Sequence, residues 1–153
     1  MKNYWQNAVT FDEYIKETER RIEVQNPEDD HNEYYELGLQ RMNRTLKTYK
    51  VDEEQLETLK SKNFNGKILI ITEPWCGDAS ATVPAVSKFF EGHNDVRIFY
   101  RDSDTSLIDQ FLTNGTRSIP KILILNEDFY NDLQVYYAKN KGKDAIQEIL
   151  DLL

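Results

Sequence analysis

Only one cysteine, Cys76, occurs among the 153 residues, and only two histidines, His31 and His93. A single thiol excludes an internal disulfide, and one cysteine with two scattered histidines does not make a zinc site. Apolar runs are short as well. Ile68-Leu69-Ile70-Ile71 is among the longest, far below the roughly 20 residues a helix needs to cross a bilayer, so no membrane association is expected. No Lys/Arg cluster stands out and the net charge is −8, which argues against a nucleic-acid partner. The segment Met1–Asn7 turns polar before an apolar stretch can form, so no secretion signal is expected. These absences point to the reducing cytoplasm and imply no metal or other cofactor. The surplus acid is spread along the chain and reads as solubility.

What is present is an ordinary globular composition, 39% hydrophobic and 30% charged, at a length that suits one domain. Residues 1–60 read as helical. Thr10-Phe11-Asp12-Glu13 is a capping box, so a helix should run from there to about Val24 with Phe11, Tyr14, Ile15 and Ile22 on one side. Asn26-Pro27-Glu28-Asp29-Asp30 breaks it. A second helix is predicted from about His31 to Tyr49. Its residues Tyr35, Leu39, Met42, Leu46 and Tyr49 form one apolar stripe, either packed on the sheet of the domain, where it would stand in for a first strand, or used as a short coiled-coil seam. Asp52 looks like the N-cap of a short helix through Leu59.

From residue 61 the pattern changes. Lys67–Thr72 is a β-branched run, as a strand buried on both faces should be. A helix containing Pro84 follows Cys76. Val96–Tyr100 is a strand, Ser106–Thr113 a helix closed by Asn114-Gly115, and Ile122–Leu125 a strand. Leu133–Tyr137 would pair with it as a hairpin, and Lys143–Leu153 would be the last helix. The order predicts an α/β domain: a mixed sheet flanked by helices, with two crossovers giving parallel pairs and an antiparallel edge. The division expected is a helical extension, 1–60, packed on a core, 61–153.

The informative stretch is Glu73-Pro74-Trp75-Cys76-Gly77-Asp78-Ala79. Its cysteine follows the C-terminal end of a buried strand and opens a helix. Sites in open α/β sheets gather at such strand ends, and a helix N-terminus stabilises a thiolate. Trp75-Cys76-Gly77-Asp78-Ala79 resembles the Trp-Cys-Gly-Pro-Cys active site of thioredoxins. Pro84 falls where thioredoxins carry a helix-kinking proline, and Arg117-Ser118-Ile119-Pro120 resembles their Arg-Gly-Ile-Pro loop with its cis-proline. The whole chain, with Leu39-Gln40-Arg41-Met42-Asn43-Arg44, resembles a bacterial group of thioredoxin-like proteins with a helical N-terminal extension.

The resemblance implies a thioredoxin-like fold and roles for particular residues. Cys76 would be the attacking thiol. Pro120, in the cis form, would shape a substrate groove and leave the Ile119 backbone free to pair with an extended peptide. Trp75, Gly77 and Asp78 would line the same groove. Two departures restrict the chemistry. Ala79 replaces the second cysteine, so the thiol that expels substrate from a mixed disulfide is missing. Ile70 stands where thioredoxins carry a buried acid. Asp78 and Glu73 bring negative charge near the thiol, which raises a thiol pKa, although Asp78 also suits the first turn of a helix. Arg117 could hold a substrate carboxylate or a neighbouring acid. Arg101-Asp102-Ser103-Asp104 lies at the same strand end, or simply caps the next helix. Two functions stay open. One is monothiol thiol-disulfide exchange with protein or peptide thiols and a low-molecular-weight thiol. The other is a non-catalytic or redox-sensing module that uses the groove around Pro120.

Overall fold

The computed structural model describes residues 1–128, 132–137 and 142–153. Four helices precede the sheet: α1 (Lys2–Asn7), α2 (Phe11–Val24), α3 (Asn32–Thr48) and α4 (Glu53–Ser61). The capping box at Thr10 forms in full. The Glu13 amide donates to Thr10 Oγ1 at 3.2 Å and the Thr10 amide to Glu13 Oε1 at 3.1 Å, so two otherwise orphaned donors are satisfied. Helix α2 stops at Gln25, whose φ is 50°. Asp52 caps α4 by accepting from the Gln55 amide at 3.0 Å.

The sheet holds β1 (Lys67–Thr72), β2 (Val96–Tyr100), β3 (Lys121–Leu125) and β4 (Asp132–Tyr137) in the order β2-β1-β3-β4. Helix α5 (Gly77–Phe90) connects β1 to β2, and α6 (Gly142–Leu152) closes the chain. The side chains of β1 and β3 divide by the two-residue period of a strand. Ile68, Ile70, Ile122 and Ile124 join the core with α5 and α6, while Leu69, Ile71, Leu123 and Leu125 join Phe99, Leu107, Ile108 and Trp5 on the other face. Both faces are covered, which is why β1 reads as an unbroken apolar run.

Two expectations need correction. Ser106–Thr113 is not a helix; only a 3₁₀ turn at Ile108–Gln110 forms. Asp104 takes both the Ser106 amide and its hydroxyl, and only Leu107 and Ile108 are buried there, too narrow a stripe to hold a helix on the sheet. The second parallel pair is therefore absent among the described strands. β1 and β2 are parallel, but β3 runs antiparallel to β1, with Tyr100 opposite Thr72 and Lys121 opposite Ile71. Without a crossover helix, the 101–120 connection stays at the sheet end where β2 finished, and the chain must return antiparallel. That geometry brings the end of β1 and the start of β3 to one place. The hairpin of β3 and β4 is antiparallel as predicted.

The stripe on α3 buries Tyr35, Met42 and Tyr49 against α5 and α2 rather than taking a strand's place. Thr45 Oγ1 donates to the Ser80 carbonyl at 3.2 Å, and Lys88 Nζ to the Leu46 and Tyr49 carbonyls at 3.1 and 2.7 Å. The outer edge of β2 is met instead by Val9, which exchanges two hydrogen bonds of 2.8 Å with Ile98. Helix α3 also reaches the loop before Cys76. A Cβ on Gly38 would lie 2.6 Å from the Pro74 carbonyl oxygen, so only glycine permits this approach.

Candidate functional site

Cys76 is the N-cap of α5 and half-buried, its own amide donating to the Glu73 carbonyl at 3.1 Å. Its thiol donates to the Ile119 carbonyl at 3.6 Å. Ile119–Pro120 is a cis peptide bond, and Ile119 and Pro120 are both buried. The thiol and the cis-proline loop, forty-odd residues apart in sequence, thus meet because β1 ends where β3 begins.

Burial pushes the Cys76 thiol above its ordinary range. The amides of Ala79 and Asp78 oppose that by donating toward the sulfur, the Asp78 carboxylate adds to it, and Arg101 opposes it. Burial prevails, so the thiol is mostly protonated at neutral pH. Ala79 is buried at 1% exposure, while Gly77 and Asp78 are exposed at the rim.

Trp75 has two neighbours: His31, which spacing along the chain did not reveal, and Arg101, whose segment the sequence places at this strand end. On one face the His31 imidazole stacks at 4.3 Å between centroids with the planes 9° apart. The Arg101 guanidinium carbon lies 5.0 Å from the ring centroid. Arg101 also donates to Asp102 through two nitrogens, at 2.8 and 3.2 Å, and to the Arg117 carbonyl at 3.1 Å. The Arg101–Asp104 segment therefore serves the site at its first residues and caps Ser106 at its last. Arg117 itself is exposed and forms a two-point pair with Asp109 at 2.7 and 3.1 Å. His93 is exposed in its turn.

Glu73 turns away from the thiol toward the N-terminal helices. Its side chain is buried, with Oε1 accepting from the Asp102 amide at 2.9 Å and Oε2 facing Arg21 Nη1 at 3.4 Å. Burial raises its carboxyl above the usual range; the Asp102 amide hydrogen bond and Arg21 work against that. Arg21 also donates to the Tyr35 hydroxyl at 3.3 Å, which in turn donates to Asp29 Oδ2 at 2.7 Å. Helices α2 and α3 and the strand ends enclose a cavity of about 420 Å³ here, with Trp75 in its wall. Arg21, Asp29 and Tyr35 carry no local motif; only the pairing of α2 with α3 brings them to the site. Among the described residues, no three His, Cys, Asp or Glu side chains are grouped to hold a metal, and no helix is long and apolar enough to cross a membrane.

A mixed sheet with a thiol at a helix N-cap facing a cis-proline is the thioredoxin-like class of α/β protein. A family model described as thioredoxin matches residues 24–148, and the chain belongs to that family. No curated protein matches it in sequence. Two solved structures share its fold. The crystal structure of an HIV epitope-scaffold aligns at a TM-score of 0.66 with 16% identity, covering 97% of this chain and 86% of that one. A protein of unknown function, PA1234 from Pseudomonas aeruginosa, aligns at 0.65 with 16% identity, covering 95% and 91%.

Proposed function

We propose that the protein performs monothiol thiol-disulfide exchange through Cys76 in a reducing cytoplasm, as one of a bacterial group of thioredoxin-like proteins with a helical N-terminal extension. The single observation that supports it best is the contact between the Cys76 thiol and the Ile119 carbonyl beside the cis-proline. The contact sets the thiol beside the Ile119 backbone, with which an extended peptide would pair.

In the first step the Cys76 thiolate attacks the small-thiol sulfur of a mixed disulfide between a client cysteine and a low-molecular-weight thiol. One S–S bond forms, the client's S–S bond breaks, and the client thiolate leaves and takes a proton. A second molecule of the small thiol, as thiolate, then attacks the sulfur that Cys76 now carries. Cys76 is freed and the small molecule leaves as its own disulfide. The client cysteine is reduced and one free small thiol is oxidised, the other half of the product disulfide coming already oxidised from the mixed disulfide, so the electrons balance. Ala79 supplies no internal thiol for this second step, so an external one is required. The Asp78 and Ala79 amides stabilise the attacking and departing thiolate.

The raised thiol pKa favours the alternative of a non-catalytic groove, because little thiolate is available at neutral pH. Turnover separates the two. The chain should reduce a glutathione mixed disulfide of a peptide in the presence of glutathione, faster as pH rises from 7 to 9, and Cys76→Ser should abolish it. No turnover at pH 9 by the unmutated chain would leave the binding reading.

A further inference from the structure

The cavity beside Trp75 has no part in the exchange chemistry at Cys76, yet it opens one residue away from it. Its charged lining is four carboxylates, Glu17, Asp29, Glu73 and Asp102, against the guanidinium groups of Arg20 and Arg21. Both guanidinium groups are already neutralised within the wall. Arg20 holds Glu17 through two bonds of 2.8 and 2.6 Å, and Arg21 pairs with Glu17 at 3.1 Å and Glu73 at 3.4 Å. Asp102 has Arg101. Among the described residues, Asp29 has no Lys or Arg in salt-bridge contact: it accepts from the Tyr35 hydroxyl and the His31 amide, with the His31 ring nitrogen 3.6 Å away. The uncompensated charge is negative and centres on Asp29. Two lining residues also carry a buried polar atom without a hydrogen-bond partner among the described residues, Asn32 Oδ1 and the Tyr100 hydroxyl, where native proteins ordinarily pair such atoms. What would complement Asp29 is a positively charged group rich in N–H donors.

We propose that this cavity receives a lysine or arginine side chain of the client, one or two residues from the client's reacting cysteine. The substrate class is then a mixed disulfide in a basic sequence context. The proposal rests on the exchange reading for its client and adds the selectivity. The reach is suitable. Trp75 lines the cavity and adjacent Cα atoms are about 3.8 Å apart, while an extended client advances about 3.3–3.6 Å per residue. A client whose mixed disulfide is presented to Cys76 can therefore pass its neighbouring residues over Trp75. The volume of about 420 Å³ accommodates one long basic side chain, and the net charge of −8 attracts a basic client from a distance.

The test uses peptides with Lys, Ala or Glu flanking one central position. Peptides with serine at the centre are titrated against the Cys76→Ser chain by calorimetry, and glutathione mixed disulfides of the cysteine versions are turned over by the unmutated chain. The Lys peptide should bind and react about fivefold better than the Ala peptide at low salt, the size of one partly exposed charge pair, and the Glu peptide worse than either. The preference should vanish in Asp29→Asn. It should also fall at high salt in the unmutated chain, a readout that does not depend on any variant folding. Equal binding of the Lys and Ala peptides at low salt, or a preference that high salt leaves unchanged, overturns the proposal. A Lys preference in binding with no turnover of any peptide supports the subsite and refutes the exchange reading; equal turnover of all three does the reverse.

Discussion

The Trp75 indole lies flat on the His31 imidazole, ring centroids 4.3 Å apart and planes 9° from parallel. One ring belongs to the loop that precedes the thiol and the other to the turn between α2 and α3. The N-terminal helices are thus part of the site's wall. Gly38 is the second point of contact. A methyl group there would meet the Pro74 carbonyl oxygen at 2.6 Å, and Pro74 is backbone that cannot swing aside. Gly38→Ala should destabilise the chain by about 1–3 kcal/mol, measured by urea unfolding, and should change the fluorescence of the folded state through Trp75.

The thiol's protonation follows from its surroundings. Burial raises it and the Asp78 carboxylate adds to that. Alkylation of Cys76 against pH should show a midpoint above that of a free cysteine. Asp78→Asn should move the midpoint down and speed alkylation at pH 7 severalfold, because removing a nearby negative charge favours the thiolate. A midpoint that does not move would assign the raised value to burial alone.

Ala79 is buried at 1% exposure in the first turn of α5, three residues after Cys76. Side chains at that spacing on a helix are neighbours, close enough for a disulfide. Ala79→Cys should form an intramolecular disulfide on mild oxidation, seen by intact mass, and should release the small thiol carried on Cys76 without an added one. The variant should lose about 1–3 kcal/mol when reduced, since sulfur must fit where a methyl group was.

Glu73 is a buried carboxyl whose pKa is raised in the fold, burial outweighing the Asp102 amide and Arg21. A carboxyl that binds its proton more tightly when folded gives stability that falls as pH climbs above its unfolded value of roughly 4.3. Glu73→Gln removes that dependence. The stability of the unmutated chain minus that of the variant should fall as pH goes from 4 to 7, and the variant should equal or exceed the unmutated chain at pH 7. A difference that rises with pH would mean that the ionised form is the stabilised one.

Much of this was legible in the sequence because the deciding signals were local. Thr10 and Glu13 announce a capping box three residues apart, and Lys67–Thr72 announces a strand covered on both faces. Cys76 and Pro120 could be placed together from the thioredoxin-like motifs. The direction of β3 was not legible, since it depends on whether residues 101–120 form a crossover helix. Leu107 and Ile108 alone do not anchor one. Nor were His31 as the ring stacked on Trp75 and Arg21 as the partner of Glu73 legible. Each looks like an ordinary solvated residue in its own segment, and only the packing of α2 against α3 and the end of β2 unites them. Arg117, a candidate for substrate binding by sequence, pairs with Asp109 because the loop's tight turn at Thr113–Thr116 carries it to the surface.

The most direct measurement is a single-turnover reaction of the chain with the glutathione mixed disulfide of a peptide, followed by intact mass without added thiol. The account predicts one glutathione adduct on Cys76, formed at the rate at which free peptide thiol appears and absent from Cys76→Ser. Free peptide thiol without an adduct, or no reaction at pH 9, would contradict it.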